Sequence, residues 1–331
     1  MESFFDGLPV ALDILITLAS LTVLVVSADF AISRAVDTAH AYGVSPLIIG
    51  TTLVAMSTSL AELAVNMAVT LSGGDNAVVV GNVLGSNLVN IGFGLGIAAF
   101  ITAIRTRTLV IEREILLYFA ITTMLLGVAL DRVITRQEGG VLTACFVLVM
   151  VLVYQYASRE RAAGRQNDGT GHSASRASRN ALQAGGAVIV LVIAAEALVQ
   201  SVSAIARGAG VDEYIISATV IGIGTSIPEI ATSVQAARRG EVDLVLGNVF
   251  GSNVFNICLA LGLPALIRGV RLPTPGLHDL YFLNIYGVVV TFLLLGDIRF
   301  FGRNKVIGRW GGAAIALVYV AYIAWKIVTH G

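Results

Sequence analysis

Two glutamates stand in nearly identical apolar surroundings, 167 residues apart in the chain. Glu62 lies within GTTLVAMSTSLAELAVN (50–66), and Glu229 lies within SATVIGIGTSIPEIATS (217–233). Each follows a threonine by four residues and a serine by three, so a helix would put two hydroxyls and a carboxylate on one face. The hydroxyl residues are Thr58 and Ser59 in the first segment and Thr225 and Ser226 in the second.

A second shared phrase follows each of these segments. It reads GNVLGSNLVNI from Gly81 and GNVFGSNVFNI from Gly247. Within it a serine and an asparagine are four residues apart, and helical spacing again places them on one face. These pairs are Ser86 with Asn90 and Ser252 with Asn256.

The glycines and the proline of the second segment predict an interrupted helix. Gly222 and Gly224 disfavour a regular helix, and Pro228 removes one hydrogen bond and frees a carbonyl about one turn earlier. At membrane depth such a break is tolerated where it is buried in protein or lines a wet cavity. We therefore expect backbone carbonyls near Gly222, and near Ala55 in the first segment, to join the other oxygens.

The two copies together offer two carboxylates, several hydroxyls and several amide oxygens, without a histidine or lysine in either segment. A doubly negative, all-oxygen site suits a hard cation, because Ca²⁺ takes about six to eight oxygens at about 2.3–2.6 Å. Na⁺ has nearly the same radius and also prefers oxygen. Competition of the two ions for one alternately exposed site is sufficient for antiport.

The composition around these segments is that of a membrane protein. The chain has 331 residues, of which 56% are hydrophobic and 13% charged, whereas soluble domains carry about 25% charged residues. Allowing about 20 apolar residues for each bilayer crossing, we predict an all-α integral membrane protein with ten transmembrane helices. The predicted spans are 11–32, 44–72, 77–102, 109–129, 138–156, 181–204, 212–238, 242–268, 279–296 and 306–328.

The duplication divides the chain into two five-helix halves. The predicted domains are residues 1–156, an Arg-rich linker at 157–180, and residues 181–331. An odd number of spans in each half makes the repeat an inverted one, related by a pseudo-two-fold axis in the membrane plane. A cytoplasmic linker puts 15 of the 21 Lys and Arg residues inside and both termini outside, as the positive-inside rule favours. The other six are then external: Arg132, Arg136, Arg207, Arg268, Arg271 and Lys326.

The duplicated phrases GTSIPE and GNVFGSN resemble the two α-repeats of the sodium/calcium exchanger family, within the cation/calcium antiporter superfamily. The resemblance implies Na⁺/Ca²⁺ antiport in a bacterial or archaeal inner membrane, with both ions as substrates and no cofactor. It implies that Glu62 and Glu229 are the main Ca²⁺ ligands, and that the first and sixth spans slide to alternate access. The residues that it implies around the Na⁺ and Ca²⁺ sites are Thr58, Ser59, Ser86, Asn90, Thr225, Ser226, Ser252 and Asn256.

The chain departs from the family pattern in three places. The first copy reads STSLAE, without the usual glycine and proline, so its helix is expected to be less broken than the second. Amides at Asn90 and Asn256, where some relatives carry an aspartate, imply transport without K⁺. Asn66 stands at the position that Ser233 occupies in the second copy, and we attach little meaning to this difference.

Other functions are compatible with parts of the sequence. Exchange of Ca²⁺ for H⁺, or another cation/proton antiport, needs the same two carboxylates, and a passive cation channel could use the same oxygens. An intramembrane metalloenzyme needs a His or Cys ligand set that the spans lack. We expect membrane lipid as the surroundings, no enzymatic activity, no nucleic-acid partner and no obligatory protein partner. Asp29 and Glu196, in the first and sixth spans, either line the ion path or lie near its mouth.

Overall fold

The computed structural model describes residues 9–42, 55–105, 109–162, 174–208, 213–295 and 306–330. Nearly all of these residues lie in helices, and four strands of two residues each complete the described elements. Short turns separate the helices. For example, the helix Leu60–Ser72 is followed by Gly73, whose φ of 83° is left-handed, and the Asp75 side chain caps the helix Asn76–Val89 by accepting from the Ala77 amide at 2.8 Å. The first half contains α1 (Val10–Tyr42), α2 (Ala55–Thr58), α3 (Leu60–Ser72), α4 (Asn76–Val89), the π-helical turn π1 (Asn90–Leu95), α5 (Gly96–Ile101), β1 (Ile104–Arg105), α6 (Leu109–Val128), β2 (Val133–Ile134) and α7 (Arg136–Ala162).

The described elements of the second half follow a similar order. A long helix comes first, then a broken helix, a helix with a π-helical turn, and two further helices next to short strands. The elements are α8 (Ala174–Gly208), α9 (Glu213–Ile216), π2 (Ser217–Ile221), α10 (Gly222–Thr225), α11 (Ile227–Arg238), α12 (Val242–Phe255), π3 (Asn256–Leu261), α13 (Gly262–Arg268), β3 (Val270–Arg271), α14 (Thr274–Leu295), β4 (Val306–Ile307) and α15 (Arg309–His330).

Several helices extend beyond the predicted spans. Helix α1 continues ten residues past the predicted 11–32, to Tyr42. Helices α7 and α8 enter the predicted 157–180 linker from both sides, because its ends are rich in Ala, Arg and Glu, which are good helix formers. The middle of the linker, 163–173, lies outside the described residues.

Six of the described helical stretches are long and apolar enough to cross a bilayer. A seventh is added if the pair Tyr214–Thr225 and Ile227–Arg238, which meet at a bend of 41°, forms one span. The chain is therefore a mainly helical, multi-pass membrane protein. The total of ten spans stays a prediction, since part of the predicted 44–72 span lies outside the described residues.

The two halves are tied together crosswise at the ends of their helices. Strand β1 pairs antiparallel with β4 and β2 with β3, so each small sheet takes one strand from each half. Arg136, at the start of α7, donates to the carbonyls of Leu266 and Ile267 near the end of α13. Arg309, at the start of α15, donates to the Phe100 carbonyl in α5 at 3.3 Å. These guanidinium groups satisfy carbonyls that a helix end leaves without partners.

Helix α4 packs against the broken helix of the second half so closely that few side-chain atoms separate the two backbones. A methyl group at Gly85 would come within 2.3 Å of the Ala218 carbonyl oxygen in π2. One at Gly81 would lie 2.9 Å from the Ser217 side chain, which itself donates to the Val78 carbonyl at 2.7 Å. Small residues permit this approach, as in other membrane helix pairs.

Helices α1 and α8 pack along each other at the periphery of the bundle. Helix α1 also contacts α11, and α8 contacts α10, so both reach the broken helix of the second half. Exposed apolar side chains on the two helices include Leu15, Val26, Ile189 and Ile193. Such a surface suits contact with lipid.

Candidate cation-binding site

Each of the two glutamates predicted to bind the cation lies just after a break in its helix. Helices α2 and α3 meet at Ser59, and α10 and α11 meet at Ser226. The two serines have nearly the same backbone angles, with φ −75° and ψ 1° at Ser59 and φ −85° and ψ −1° at Ser226. The first helix is thus also interrupted at its serine, and whether it is less broken than the second stays a prediction, since residues 43–54 lie outside the described residues.

Crossed hydrogen bonds join the two breaks. Ser59 Oγ donates to Glu229 Oε1 at 2.9 Å, and Ser226 Oγ donates to Glu62 Oε1 at 3.3 Å. The Thr58 hydroxyl lies beside the Glu229 carboxyl group. The two carboxyl groups are close enough to interact electrostatically. The crossed bonds therefore bring the serine of each half to the glutamate of the other half.

Helix α4 brings Ser86 to the same place. Its hydroxyl donates to the Gly222 carbonyl at 3.2 Å and lies 3.3 Å from Thr225 Oγ1. The hydroxyls of Ser86 and Thr225 both lie beside the Glu62 carboxyl group. The Gly222 carbonyl, predicted to join the oxygen set, thus accepts from Ser86 and also from the Ser226 amide at 3.3 Å.

Asparagines on α4 and α12 link the two helices reciprocally. Asn87 Nδ2 donates to the Asn253 carbonyl at 3.2 Å, and Asn253 Nδ2 donates to the Asn87 carbonyl at 3.3 Å. Asn90 Nδ2, at the start of π1, donates to Asn253 Oδ1 at 3.0 Å. A matched pair of this kind is what a two-fold relation between α4 and α12 would produce.

Several buried polar atoms of these segments have no hydrogen-bond partner. Of 13 such side-chain atoms among the described residues, eight belong to the two pairs of repeated phrases, and one of the eight is Asn256 Nδ2. An unsatisfied buried polar group costs about 1–3 kcal/mol, and a charged one costs more. Oxygens that lack donors can be satisfied by a cation. The seven oxygens are Glu62 Oε2, Asn87 Oδ1, Asn90 Oδ1, Glu229 Oε2, Asn248 Oδ1, Ser252 Oγ and Asn256 Oδ1.

The structure buries every predicted site side chain that it describes. Gly222 is also buried. Ala55 is the first residue of α2, and the part played by its carbonyl stays a prediction. The ten predicted polar side chains, each at most 1% exposed, are Thr58, Ser59, Glu62, Ser86, Asn90, Thr225, Ser226, Glu229, Ser252 and Asn256.

The chain is similar to known proteins along most of its length. The family model described as "Sodium/calcium exchanger protein" matches residues 12–155 and 181–328, which is well over half of the chain. This chain belongs to the sodium/calcium exchanger family. The family's named substrates are sodium and calcium, so the chain is a membrane cation exchanger with calcium among its ions.

Individual relatives align with this exchanger over almost its whole length. The inner membrane protein YrbG of Escherichia coli (strain K12) is 31% identical over 323 residues, which span 93% of this chain and 95% of that protein. The sodium/calcium exchanger MaX1 of Methanosarcina acetivorans is 28% identical over 352 residues, which span 95% of this chain and 98% of that protein. The solved structure of the sodium-calcium exchanger NCX_Mj has the same fold, with a TM-score of 0.79 at 24% identity over 96% of this chain and 99% of that one.

In this exchanger, two asparagines of the repeated phrase that lie outside the predicted set of ion ligands hold the backbone of the glutamates. Asn248 Nδ2 donates to the Glu229 carbonyl at 2.9 Å, and Asn82 Nδ2 lies 3.4 Å from the Glu62 carbonyl. Asn82 Oδ1 is also 3.2 Å from Thr225 Oγ1. The signal for both was in the repeated phrase, where each is the residue after the first glycine.

The difference between Asn66 and Ser233 has a structural meaning that the sequence did not reveal. Both accept a hydrogen bond from the neighbouring asparagine, Asn66 Oδ1 from Asn82 at 2.8 Å and Ser233 Oγ from Asn248 at 2.9 Å. The longer Asn66 side chain also donates through Nδ2 to the Ala260 carbonyl in π3 at 2.8 Å. This bond ties α3 to the π-helical turn of the other half.

Asp29 lies apart from the glutamates. Its Oδ1 accepts from Arg239 Nη2 at 2.7 Å, and its side chain is 51% exposed. Arg239 Nη1 is also 3.4 Å from Ser33 Oγ. Asp29 is therefore a partner of an arginine at the end of α11. The side chain of Glu196 lies outside the described part of the chain.

Lys326 was counted among the external charges, but the structure buries it. It lies in α15, is 1% exposed, and forms an ion pair with Asp279 in α14. The predicted span began at residue 279, whereas α14 begins at Thr274, so Asp279 lies inside the helix. A buried lysine is tolerated because the aspartate balances its charge.

Proposed function

We propose that this chain is a Na⁺/Ca²⁺ antiporter that binds its ions between Glu62 and Glu229, near the bilayer midplane. The observation that carries the proposal is the unequal state of the carboxylate oxygens. Each glutamate gives Oε1 to a serine of the other half and leaves Oε2 buried without a partner. A cation placed between the two Oε2 atoms would satisfy both at once.

The surrounding oxygens supply the rest of the coordination in this proposal. Glu62 and Glu229 are the main Ca²⁺ ligands, since only they carry charge. The remaining ligands are hydroxyl, amide and carbonyl oxygens, which suit both Ca²⁺ and Na⁺. They come from Thr58, Ser59, Ser86, Asn90, Thr225, Ser226, Ser252, Asn256, and the carbonyls of Ala55 and Gly222.

The two carboxylates also give a reason for coupled exchange. Unpaired charges inside the membrane cost several kcal/mol, so the empty site opposes reorientation. One Ca²⁺, or Na⁺ ions in its place, cancels that charge and permits the site to turn to the other side. Na⁺ that enters from one side competes for the same oxygens and thereby releases Ca²⁺.

The family membership and the name of the relative MaX1 support this reading. The proposal further includes both termini outside an inner membrane, a cytoplasmic linker at 157–180, and two five-helix halves in inverted orientation. It includes transport without a cofactor, without enzymatic turnover and without an obligatory protein partner.

Uptake of radioactive Ca²⁺ into inverted membrane vesicles tests the proposal. With pH and voltage clamped, an outward Na⁺ gradient is expected to drive uptake, and a K⁺ gradient of equal size is not. Vesicles with Glu229→Gln serve as the control that retains the fold. Uptake driven by a pH gradient in the absence of Na⁺ would instead support H⁺/Ca²⁺ exchange, and uptake independent of any counter-ion would indicate a channel.

A further inference from the structure

Another buried acid, Asp279, lies outside the cation site and has a full set of partners. Its Oδ2 accepts from Tyr214 Oη at 2.6 Å, and its Oδ1 accepts from Tyr322 Oη at 2.5 Å. Lys326 forms an ion pair with Oδ2, and its ammonium lies 4.6 Å from the centre of the Tyr214 ring. Asp279 and Lys326 are 0% and 1% exposed. The charge of this carboxylate is therefore balanced by the protein itself.

The members of this Asp279 cluster come from three helices. Asp279 is on α14, Tyr322 and Lys326 are on α15, and Tyr214 is on α9. Helices α14 and α15 are joined a second time by Tyr286 Oη, which donates to the Ile315 carbonyl at 2.5 Å. Of the residues in this cluster, Tyr214 alone lies on the broken helix of the second half. The same broken helix carries the proposed cation ligands of that half.

Helix α9 leads directly to those ligands through π2 and α10. Eleven residues separate Tyr214 from Thr225, which corresponds to about 16 Å of helix. Along this length the broken helix lies on α4 through small residues, with Gly85 against Ala218. The bonds that cross this contact are made by neutral groups, such as the Ser217 hydroxyl on the Val78 carbonyl at 2.7 Å.

Hydrogen bonds to a carboxylate, by contrast, are strong and directional. The bond from Tyr214 fixes the position of α9 along its axis relative to α14 and α15. The Ser86 hydroxyl, on α4, reaches the Gly222 carbonyl at 3.2 Å only while the two helices keep their register. A shift of α9 would carry π2 and α10 with it and separate these oxygens.

We propose that Asp279 is a positioning residue, which through Tyr214 fixes α9 and thereby holds Gly222, Thr225 and Ser226 in register with α4. The cation ligands of the second half would then depend on an ion pair that no transported ion touches. This inference rests on the proposed function only for its ion-binding readout, because the register of α9 can be measured without any ion.

The test compares Tyr214→Phe with Tyr286→Phe. Each variant removes one buried phenol hydroxyl and one hydrogen bond to α14 or α15. Tyr214→Phe leaves Asp279 paired with Lys326 and Tyr322, and removes the hydrogen bond that joins α9 to Asp279. Tyr286→Phe weakens the contact between α14 and α15 and leaves α9 attached.

Amide hydrogen exchange of residues 213–225 gives the first readout, in the absence of Ca²⁺. We expect exchange in this segment to rise by about tenfold in Tyr214→Phe, as the loss of one hydrogen bond to a charged group implies, and to stay unchanged in Tyr286→Phe. Equal exchange in the two variants would overturn the proposal, because Asp279 would then merely hold α14 to α15.

The Ca²⁺ concentration that gives half-maximal uptake in vesicles is the second readout. It is expected to rise about three- to tenfold in Tyr214→Phe and to stay at the wild-type value in Tyr286→Phe, because ligands that lose their supporting contacts bind less tightly. Faster exchange in 213–225 without this rise would contradict the positioning role. If the wild-type protein took up no Ca²⁺, the proposed function would be wrong. The comparison of amide hydrogen exchange would then still decide whether Tyr214 fixes the register of α9.

Discussion

The exchanger buries its acids in two opposite ways. Asp279 has a lysine and two tyrosines on its carboxylate, and each of its oxygens is bonded. Glu62 and Glu229 have one bonded oxygen each and no ion-pair partner within the described structure, although both are at most 1% exposed. A buried carboxylate needs a cation. The Asp279 cluster contains its own, and in the proposed function the glutamate pair receives one from outside.

The same contrast separates a structural from a functional acid. An internal ion pair with complete hydrogen bonding makes each partner depend on the other, so the loss of either is costly. A site with unpaired buried carboxylate oxygens lowers the stability of the empty protein. Binding of the ion satisfies those oxygens and raises the stability again. Removing charge is therefore expected to have opposite consequences for stability in the two regions.

The largest effect on transport is expected from neutralising the glutamates. Glu62→Gln and Glu229→Gln should each reduce Na⁺-driven Ca²⁺ uptake by about 100-fold or more, equivalent to about 2.7 kcal/mol. Thermal unfolding without Ca²⁺ should show no loss of stability, because a buried charge without a counter-charge is removed. Asp29→Asn, which also neutralises an acid but lies apart from the pair, should retain uptake near the wild-type rate. Wild-type transport by either glutamine variant would refute the site.

Neutralising the lysine of the Asp279 cluster should do the reverse. Lys326→Met leaves Asp279 buried without a counter-charge and should destabilise the protein by about 3–5 kcal/mol, measured by reversible denaturant unfolding in detergent. The double variant Asp279→Leu with Lys326→Met should recover most of this loss, because it leaves no isolated charge. If the single variant were as stable as the wild type, the contrast between the two regions would be false.

Adding Ca²⁺ should stabilise the protein through the glutamate pair alone. At a concentration 100 times the dissociation constant, the ion should add about 2.7 kcal/mol to the free energy of unfolding. The gain should disappear in the double variant Glu62→Gln with Glu229→Gln and persist in Tyr286→Phe. An undiminished gain in the double glutamine variant would show that Ca²⁺ binds elsewhere.

The smallest effect concerns the asymmetry between the two halves of the site. Asn66→Ser should cost about 1 kcal/mol, since the hydroxyl can still accept from Asn82 but cannot reach the Ala260 carbonyl. Ser233→Asn, the matched change in the other half, has no such bond to lose. Unfolding measurements that find no cost for Asn66→Ser would mean that the Ala260 bond contributes nothing net.

The sequence predicted the centre of the molecule well because the information there is local and repeated. Hydroxyls three and four residues before a glutamate must share a helix face, and the duplication implied that two such faces meet. The crossed bonds from Ser59 to Glu229 and from Ser226 to Glu62 fulfil that expectation. The family resemblance, confirmed by the match along most of the chain, rested on the same phrases.

The features that escaped prediction depend on packing between distant segments. Tyr214 and Asp279 are 65 residues apart, and Asp279 and Lys326 are 47 apart, with no local pattern that pairs them. Likewise, the donor on Asn66 finds a carbonyl 194 residues away, in a π-helical turn.

A crystal structure of the protein grown in Ca²⁺, with anomalous data collected at long wavelength, tests the convergence of the two glutamates most directly. We predict a single Ca²⁺ peak within about 2.3–2.6 Å of both Glu62 Oε2 and Glu229 Oε2. A Ca²⁺ ion that contacts only one of the two glutamates, or that lies away from both, would contradict the proposed site.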